Sequence, residues 1–315
     1  MFLSVIAILF WSIYLFCKKR YMLHPQFGKD KTLLLKAILP FAIIAVHSGV
    51  IDNPITVGSC AVALFFLISG YGLECKKEQG SFNLTYFKTH IFRVLGPVLL
   101  PAITYVALEF FYKGLSVDEI INKNILKYRI ILPYTWFVLT FLQFQFFYLI
   151  ASLANRKWLR IAILFAIIIV YDCLFYALDM PSYSLRANLA FAVGPLIKRI
   201  QDSIEMDRRK FSLLTFILSS LSLLLTKINW VGTIIIIPMW SFCFILWLSS
   251  FEKGHASKGI QFLSTISYEI YLCQGIAFLL VPKMDSMLFV YYLCVCFASV
   301  FFAQCCSWLR NKCLL

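Results

Sequence analysis

Residues 63–74 read ALFFLISGYGLE: six apolar residues run into Ser69, Gly70, Tyr71 and Gly72 before the first acidic residue, Glu74. The apolar run begins near residue 57, so 57–74 is close to the roughly 20 residues that cross a hydrocarbon core. Such a span needs no cluster of small and polar residues for packing against lipid. Two readings fit the cluster. Another helix approaches its backbone closely, or a thin ligand passes along it.

The rest of the chain repeats this apolar character. Of 315 residues 61% are hydrophobic and 14% charged, whereas soluble domains carry roughly 25% charged residues. A globular surface cannot be covered from such a supply, and the chain reads as an all-α, polytopic transmembrane bundle. Apolar segments near 2–17, 33–50, 57–74, 91–112, 131–153, 159–178, 187–199, 211–227, 230–251, 263–281 and 287–309 give about 10–11 spans. Segment 187–199 is short and carries Gly194 and Pro195, which marks it as broken or tilted. Segment 2–17 lacks the basic start and small-residue cleavage site of a signal peptide and reads as a helix of the protein. The organisation expected is an extra N-terminal transmembrane helix at 1–17, a basic cytoplasmic connector at 18–32 and one transmembrane domain at 33–315.

The formal charge is +14, which by itself suggests nucleic acid. Yet Lys and Arg sit in short connectors, and most of the 29 fall in alternate ones, including Lys18–Arg20, Lys76–Lys77, Arg156–Lys157, Arg208–Lys210 and Arg310. That asymmetry is the mark of cytoplasmic loops. It puts the N-terminus outside and the C-terminus in the cytoplasm, and it argues against a nucleic-acid partner. The connector at 113–130, which also holds Lys123, Lys127 and Arg129, is the longest on the outer side; Lys227 falls on the same side and Lys253 on the inner one. Most of the 11 cysteines lie inside apolar segments without paired C-x-x-C spacing, so they read as small apolar filler, and no metal is expected.

Ionisable side chains within spans are costly, and each marks a functional hypothesis. The candidates are His47, His90 with Arg93, Glu109, Asp172 and Glu269. For Glu109 and Asp172 a pairing partner or an interfacial place is the simpler reading. His47 differs. Lys36 and His47 are separated by ten residues, so on a helix they share a face about 16 Å apart along the axis. One stripe then carries a cation at the cytoplasmic edge and an imidazole beyond the middle of the span. An imidazole there is either a packing residue or a base able to take a proton from a hydroxyl. Lys36, Lys88, His90 and Arg93 gather at the cytoplasmic edge, either as anchors or as a phosphate-binding group.

These stretches together resemble the membrane-bound acyltransferase family 3, whose members include polysaccharide O-acetyltransferases. VALFFLISGYGLE is similar to the family's V-x-L-F-F-x-x-S-G-[FY] signature, and Lys36 and His47 to its basic residue, ten positions, then histidine. YFKTHIFRVLGP resembles its R-x-x-R segment, YTWFVLTFL its W-F helix, NLAFAVGPLIKR its F-x-x-G-x-L-x-x-R stretch and ISYEIYLCQ its S-Y-x-I-Y-L-x-H helix. The chain departs from the pattern in four places, one of them the proline after the R-x-x-R segment, which falls one position late at Pro97. His90 stands for the first arginine, Gln274 for the final histidine, and Gln143 and Gln145 follow Trp136 where some members have an acidic residue.

The resemblance implies an acyltransferase that takes an acetyl group from acetyl-CoA, used as the acyl-donor substrate, to a carbohydrate hydroxyl. The acceptor would be a cell-surface polysaccharide or its lipid-linked oligosaccharide precursor, and the setting a cell membrane and its lipids. It assigns catalysis to His47, as general base or as transient acyl carrier. Lys36, His90, Arg93, Ser69, Gly70 and Tyr71 would hold the donor, and Trp136, Asp172 and Glu269 would contact substrate. The competing expectation is a transporter or flippase of a lipid-linked sugar, lined by Glu109, Asp172 and Glu269; the absence of an internal repeat speaks against it.

Overall fold

The computed structural model describes residues 2–18, 22–23, 27–51, 54–125, 131–203, 206–225, 230–251 and 256–313. Lys19, Arg20, Lys127, Arg129, Lys227 and Lys253, used above to orient the chain, lie outside these residues, as does the end of the 113–130 connector. Among the described residues the secondary structure is thirteen α-helices, two short 3-10 turns and one two-residue β pair. In chain order the first helices are α1 (Phe2–Cys17), α2 (Lys29–His47), α3 (Pro54–Glu78), α4 (Leu84–Lys113) and α5 (Val117–Ile125). They are followed by α6 (Trp136–Ala151), α7 (Lys157–Ala177), α8 (Leu189–Ser203) and α9 (Arg208–Leu225). The last are α10 (Trp230–Ser249), α11 (Lys258–Thr265), α12 (Ser267–Leu280) and α13 (Leu288–Cys313). The β pair joins β1 (Met22–Leu23) to β2 (Met206–Asp207), antiparallel, with Met22 opposite Asp207.

The protein is an all-α polytopic helical protein. Among the described residues five helices are long and apolar enough to cross a membrane: the one ending at Glu78, then α4, α7, the part of α10 from Gly232, and the one ending at Arg310. A sixth is added if α11 and α12, bent by 65°, count as one broken span. The other helices are left out of this count by their described length or by their charges. With 16, 16 and 15 residues, α1, α6 and α8 are shorter than the roughly 17 residues a span requires. The longer α2 and α9 each take charges within their length, Asp30, Lys31 and Lys36 in one and Arg208–Lys210 in the other.

Two compact units divide the chain: Met1–Leu35, Ser59–Asn83 and Phe144–Ala256 form the first, and Lys36–Gly58, Leu84–Gln143 and Ser257–Leu315 the second. In the first unit α9 turns a polar stripe inward. Ser212, Thr215, Ser219 and Ser222 recur at helical spacing and are all buried. Each hydroxyl donates back to its own helix, and Thr215 also meets Ser12 of α1 at 2.6 Å. Small polar residues bring the two backbones together without leaving an unpaired group in an apolar setting. Indole N–H groups do the same at longer range, Trp11 donating to Ser250 and Trp240 to Ser4, both at 2.9 Å.

At the end of α3, Glu74 and Arg160 are buried together. Arg160 donates through Nη2 at 2.5 Å and Nε at 3.1 Å, and the Tyr148 hydroxyl donates to the same carboxylate at 2.6 Å. Glu78, one turn on, takes Lys157 and, at 3.4 Å, Lys198.

The run around Gly70 is a crossing point with α8. A methyl group at Gly70 would stand 2.1 Å from the Phe191 carbonyl oxygen; one at Gly194 would stand 2.3 Å from that of Leu67 and 2.4 Å from the Tyr71 nitrogen. The two glycines therefore let the helices touch backbone to backbone. Gly72, two residues on, faces open space.

In the second unit α12 packs against α4 and α13 around Ile44, Ile270, Cys273, Ala277, Tyr291 and Val295. The outward faces of α4 and α13 remain apolar, with Phe92, Leu99, Ile103, Phe111, Phe297 and Phe301 exposed, as expected of helices whose solvent is lipid. Short α5 is set by a capping box: the Ser116 N–H donates to Glu119 at 2.7 Å and the Glu119 N–H to the Ser116 hydroxyl at 3.3 Å. The bond from the Ser116 backbone holds the Glu119 carboxyl below its ordinary range.

Gly194→Ala should lower the stability of the detergent-purified protein by about 1–3 kcal/mol, since backbone cannot yield as a side chain does. Gly72→Ala should leave the thermal midpoint in place. A Gly194→Ala protein melting with the wild type would contradict the crossing.

Candidate functional site

Helix α2 is one continuous helix from Lys29 to His47, running through Pro40, so Lys36 and His47 do share a stripe. His47 is its last residue. The Ser48 hydroxyl turns back to the Ala45 carbonyl at 2.9 Å, and Gly49 follows with φ +80°, a left-handed conformation that ends helices. His47 was expected deep within a span; the structure puts it at a helix end, half-buried, because Gly49 terminates the helix two residues later.

Three elements of the second unit meet at this imidazole. Its ring stacks on Tyr134 with centroids 4.0 Å apart and planes 20° from parallel, and Phe278 of α12 stands edge-on at 6.4 Å. Nδ1 lies 3.0 Å from Oε1 of Gln274, which is fully buried. The Gln274 amide nitrogen donates in turn to the Tyr271 carbonyl at 2.9 Å.

Tyr134 itself sits at φ +68°, a conformation uncommon for a bulky residue. It is held there from both sides. The Tyr271 hydroxyl donates to the Tyr134 carbonyl, and Pro133 presses on α12 where only Gly275 leaves room: a methyl group at Gly275 would stand 2.6 Å from Cγ of Pro133. Residues 271–275 thus grip the turn that carries the stacking ring.

The basic residues expected to hold the donor are partly gathered in the same unit. Tyr86, His90 and Arg93 follow one face of α4, with the rings of Tyr86 and His90 5.5 Å apart and 11° from parallel. His90 feels the positive charge of both Arg93 and Lys36. A cluster of cations with an aromatic beside it is suited to phosphate oxygens. Trp136 opens α6 two residues after Tyr134.

The remaining expected residues belong to the first unit or are engaged with other partners. Ser69, Gly70 and Tyr71 belong to the first unit. The Tyr71 hydroxyl there donates to the Phe27 carbonyl at 2.6 Å and meets Gln201 at 3.3 Å. Asp172, also in the first unit, accepts from the Asn188 amide at 2.6 Å. Glu269 pairs with Arg310 at 2.5 Å, and Glu109 takes Lys113 at 2.9 Å and the Tyr105 hydroxyl at 2.7 Å. No group of three or more His, Cys, Asp or Glu is placed to hold a metal among the described residues. Sequence reasoning missed Tyr134 and Tyr271. Both lie in stretches set beside family motifs, YTWFVLTFL and ISYEIYLCQ, and their aromatic character was the available signal.

Apolar helices of spanning length, together with an imidazole fixed at a helix end in a unit that also carries clustered cations, define a multi-pass membrane protein equipped for group transfer. The family model of the acyltransferase domain Acyl_transf_3 matches residues 33–308, most of the chain, and the chain belongs to that family: it is a membrane acyltransferase. No curated protein and no solved structure matches it.

Gly275→Ala should displace Pro133 and the turn behind it, lowering stability by about 1–3 kcal/mol. Gly96→Ala, where a methyl group meets nothing within 4 Å, is the control. Equal thermal midpoints for the two variants would refute the grip of α12 on this turn.

Proposed function

We propose that this acyltransferase moves an acetyl group from acetyl-CoA to a carbohydrate hydroxyl, on a cell-surface polysaccharide or its lipid-linked precursor. The observation that carries the reading is His47 held by stacking and a hydrogen bond at the end of the helix that also bears Lys36. Lys36, His90 and Arg93 take the donor's phosphates. His47 accepts the proton of the sugar hydroxyl as its oxygen attacks the thioester carbonyl. The tetrahedral intermediate collapses, the C–S bond breaks, and the departing thiolate takes the proton back from the imidazolium. In the orientation read from the basic connectors, donor and acceptor reach this residue from opposite faces of the cell membrane, the donor from the cytoplasm.

The test uses purified protein in lipid, labelled acetyl-CoA and a glycan acceptor analysed by mass. Wild type should transfer label, and His47→Ala should lose about 10²–10⁴-fold in turnover while inserting normally. Transport of the glycan without label transfer would replace the enzyme by a carrier. Arg93→Ala should raise the apparent donor KM by about tenfold or more, with kcat little changed. An unaltered donor KM would remove Arg93 from the phosphate site.

A further inference from the structure

Gln274 stands where the resembling family motif has histidine, and its surroundings allow the amide only one orientation. The Tyr271 carbonyl, 2.9 Å from one end of the amide, accepts and never donates, so the end facing it must be the nitrogen. The oxygen then faces His47 Nδ1 at 3.0 Å. An amide oxygen also only accepts, so Nδ1 must carry a proton. In a neutral imidazole the lone pair is thereby left on Nε2.

We infer that Gln274 is a positioning residue that locks His47 in the Nδ1–H tautomer and aims Nε2 as the atom that receives the hydroxyl proton. The inference deepens the proposed reaction and rests on it for its catalytic consequence; the tautomer itself rests on the hydrogen bonds alone. The stack on Tyr134 fixes the plane of the ring, and Gln274 fixes its rotation within that plane. Neither contact adds a charge. Burial secures the lock, because a fully buried amide turned end for end would set its oxygen against the Tyr271 carbonyl with no water to compensate.

The test is the nitrogen spectrum of the full-length protein in lipid, labelled with [¹⁵N]histidine. Four histidines are present, and His47 is assigned by its disappearance in His47→Asn. Neutral wild-type His47 should show a protonated Nδ1 and an unprotonated Nε2. The reverse pattern, or a rapid mixture, overturns the inference whatever the activity. Gln274→Leu, similar in size but without an acceptor, should lose the pattern and reduce kcat by about 10–100-fold at constant donor KM. If His47→Ala abolishes transfer while Gln274→Leu turns over like wild type, this inference fails and the proposed reaction stands. If His47→Ala stays active, the reaction fails, and the spectrum still decides the tautomer.

Discussion

Lipid offers no hydrogen bonds, so polar groups drawn into these helices are for the most part answered from within the chain. That constraint accounts for arrangements that otherwise look unrelated. Arg160 reaches Glu74 with two nitrogens while Tyr148 supplies a third donor. The serines of α9 return their hydroxyls to carbonyls one turn back. Glu109 and Glu269, the carboxylates that first suggested a transport route, are taken by Lys113 and Arg310. Removing one partner of the Glu74–Arg160 pair, buried on both sides, costs about 3–5 kcal/mol, whereas Lys113 and Arg310 are partly exposed and their pairs are worth less.

The same constraint governs close approach. The small and polar run at the end of the 57–74 segment had two explanations, a neighbouring helix or a thin ligand. For Gly70 and Gly194 the backbone of α8 against α3 accounts for the missing side chains. Tyr71 turns its hydroxyl to the Phe27 carbonyl. A family signature read as sequence therefore coincides, at its glycine, with a helix crossing.

Most of the helices were legible in the sequence, since each apolar segment marked there holds a helix or a bent pair, but α5 lies in the stretch 113–130 that was read as a connector. The sequence was poorer on their ends. Apolar runs fray into loops of similar composition, so the break at Ile266 between α11 and α12 and the end imposed by Gly49 left little trace. Within the site, Lys36 and His47 were legible because helical periodicity couples residues on one element. Tyr134, Tyr271, Gly275 and Gln274 were not legible as a group, because their meeting with His47 is a tertiary event joining three segments far apart in the chain. The left-handed Tyr134 had no glycine or asparagine to announce it.

Gln274 shows why a departure from a motif need not be a loss. A carboxylate behind an imidazole orients the ring and also neutralises the charge it gains; a neutral amide can only orient. In the proposed reaction the imidazolium is then matched by the developing oxyanion and the departing thiolate, both of which exist only once the hydroxyl has attacked. Charge compensation is thereby confined to the transition state and the collapse of the intermediate, where it accelerates transfer. A stacked ring and one amide hold the histidine in place for that step.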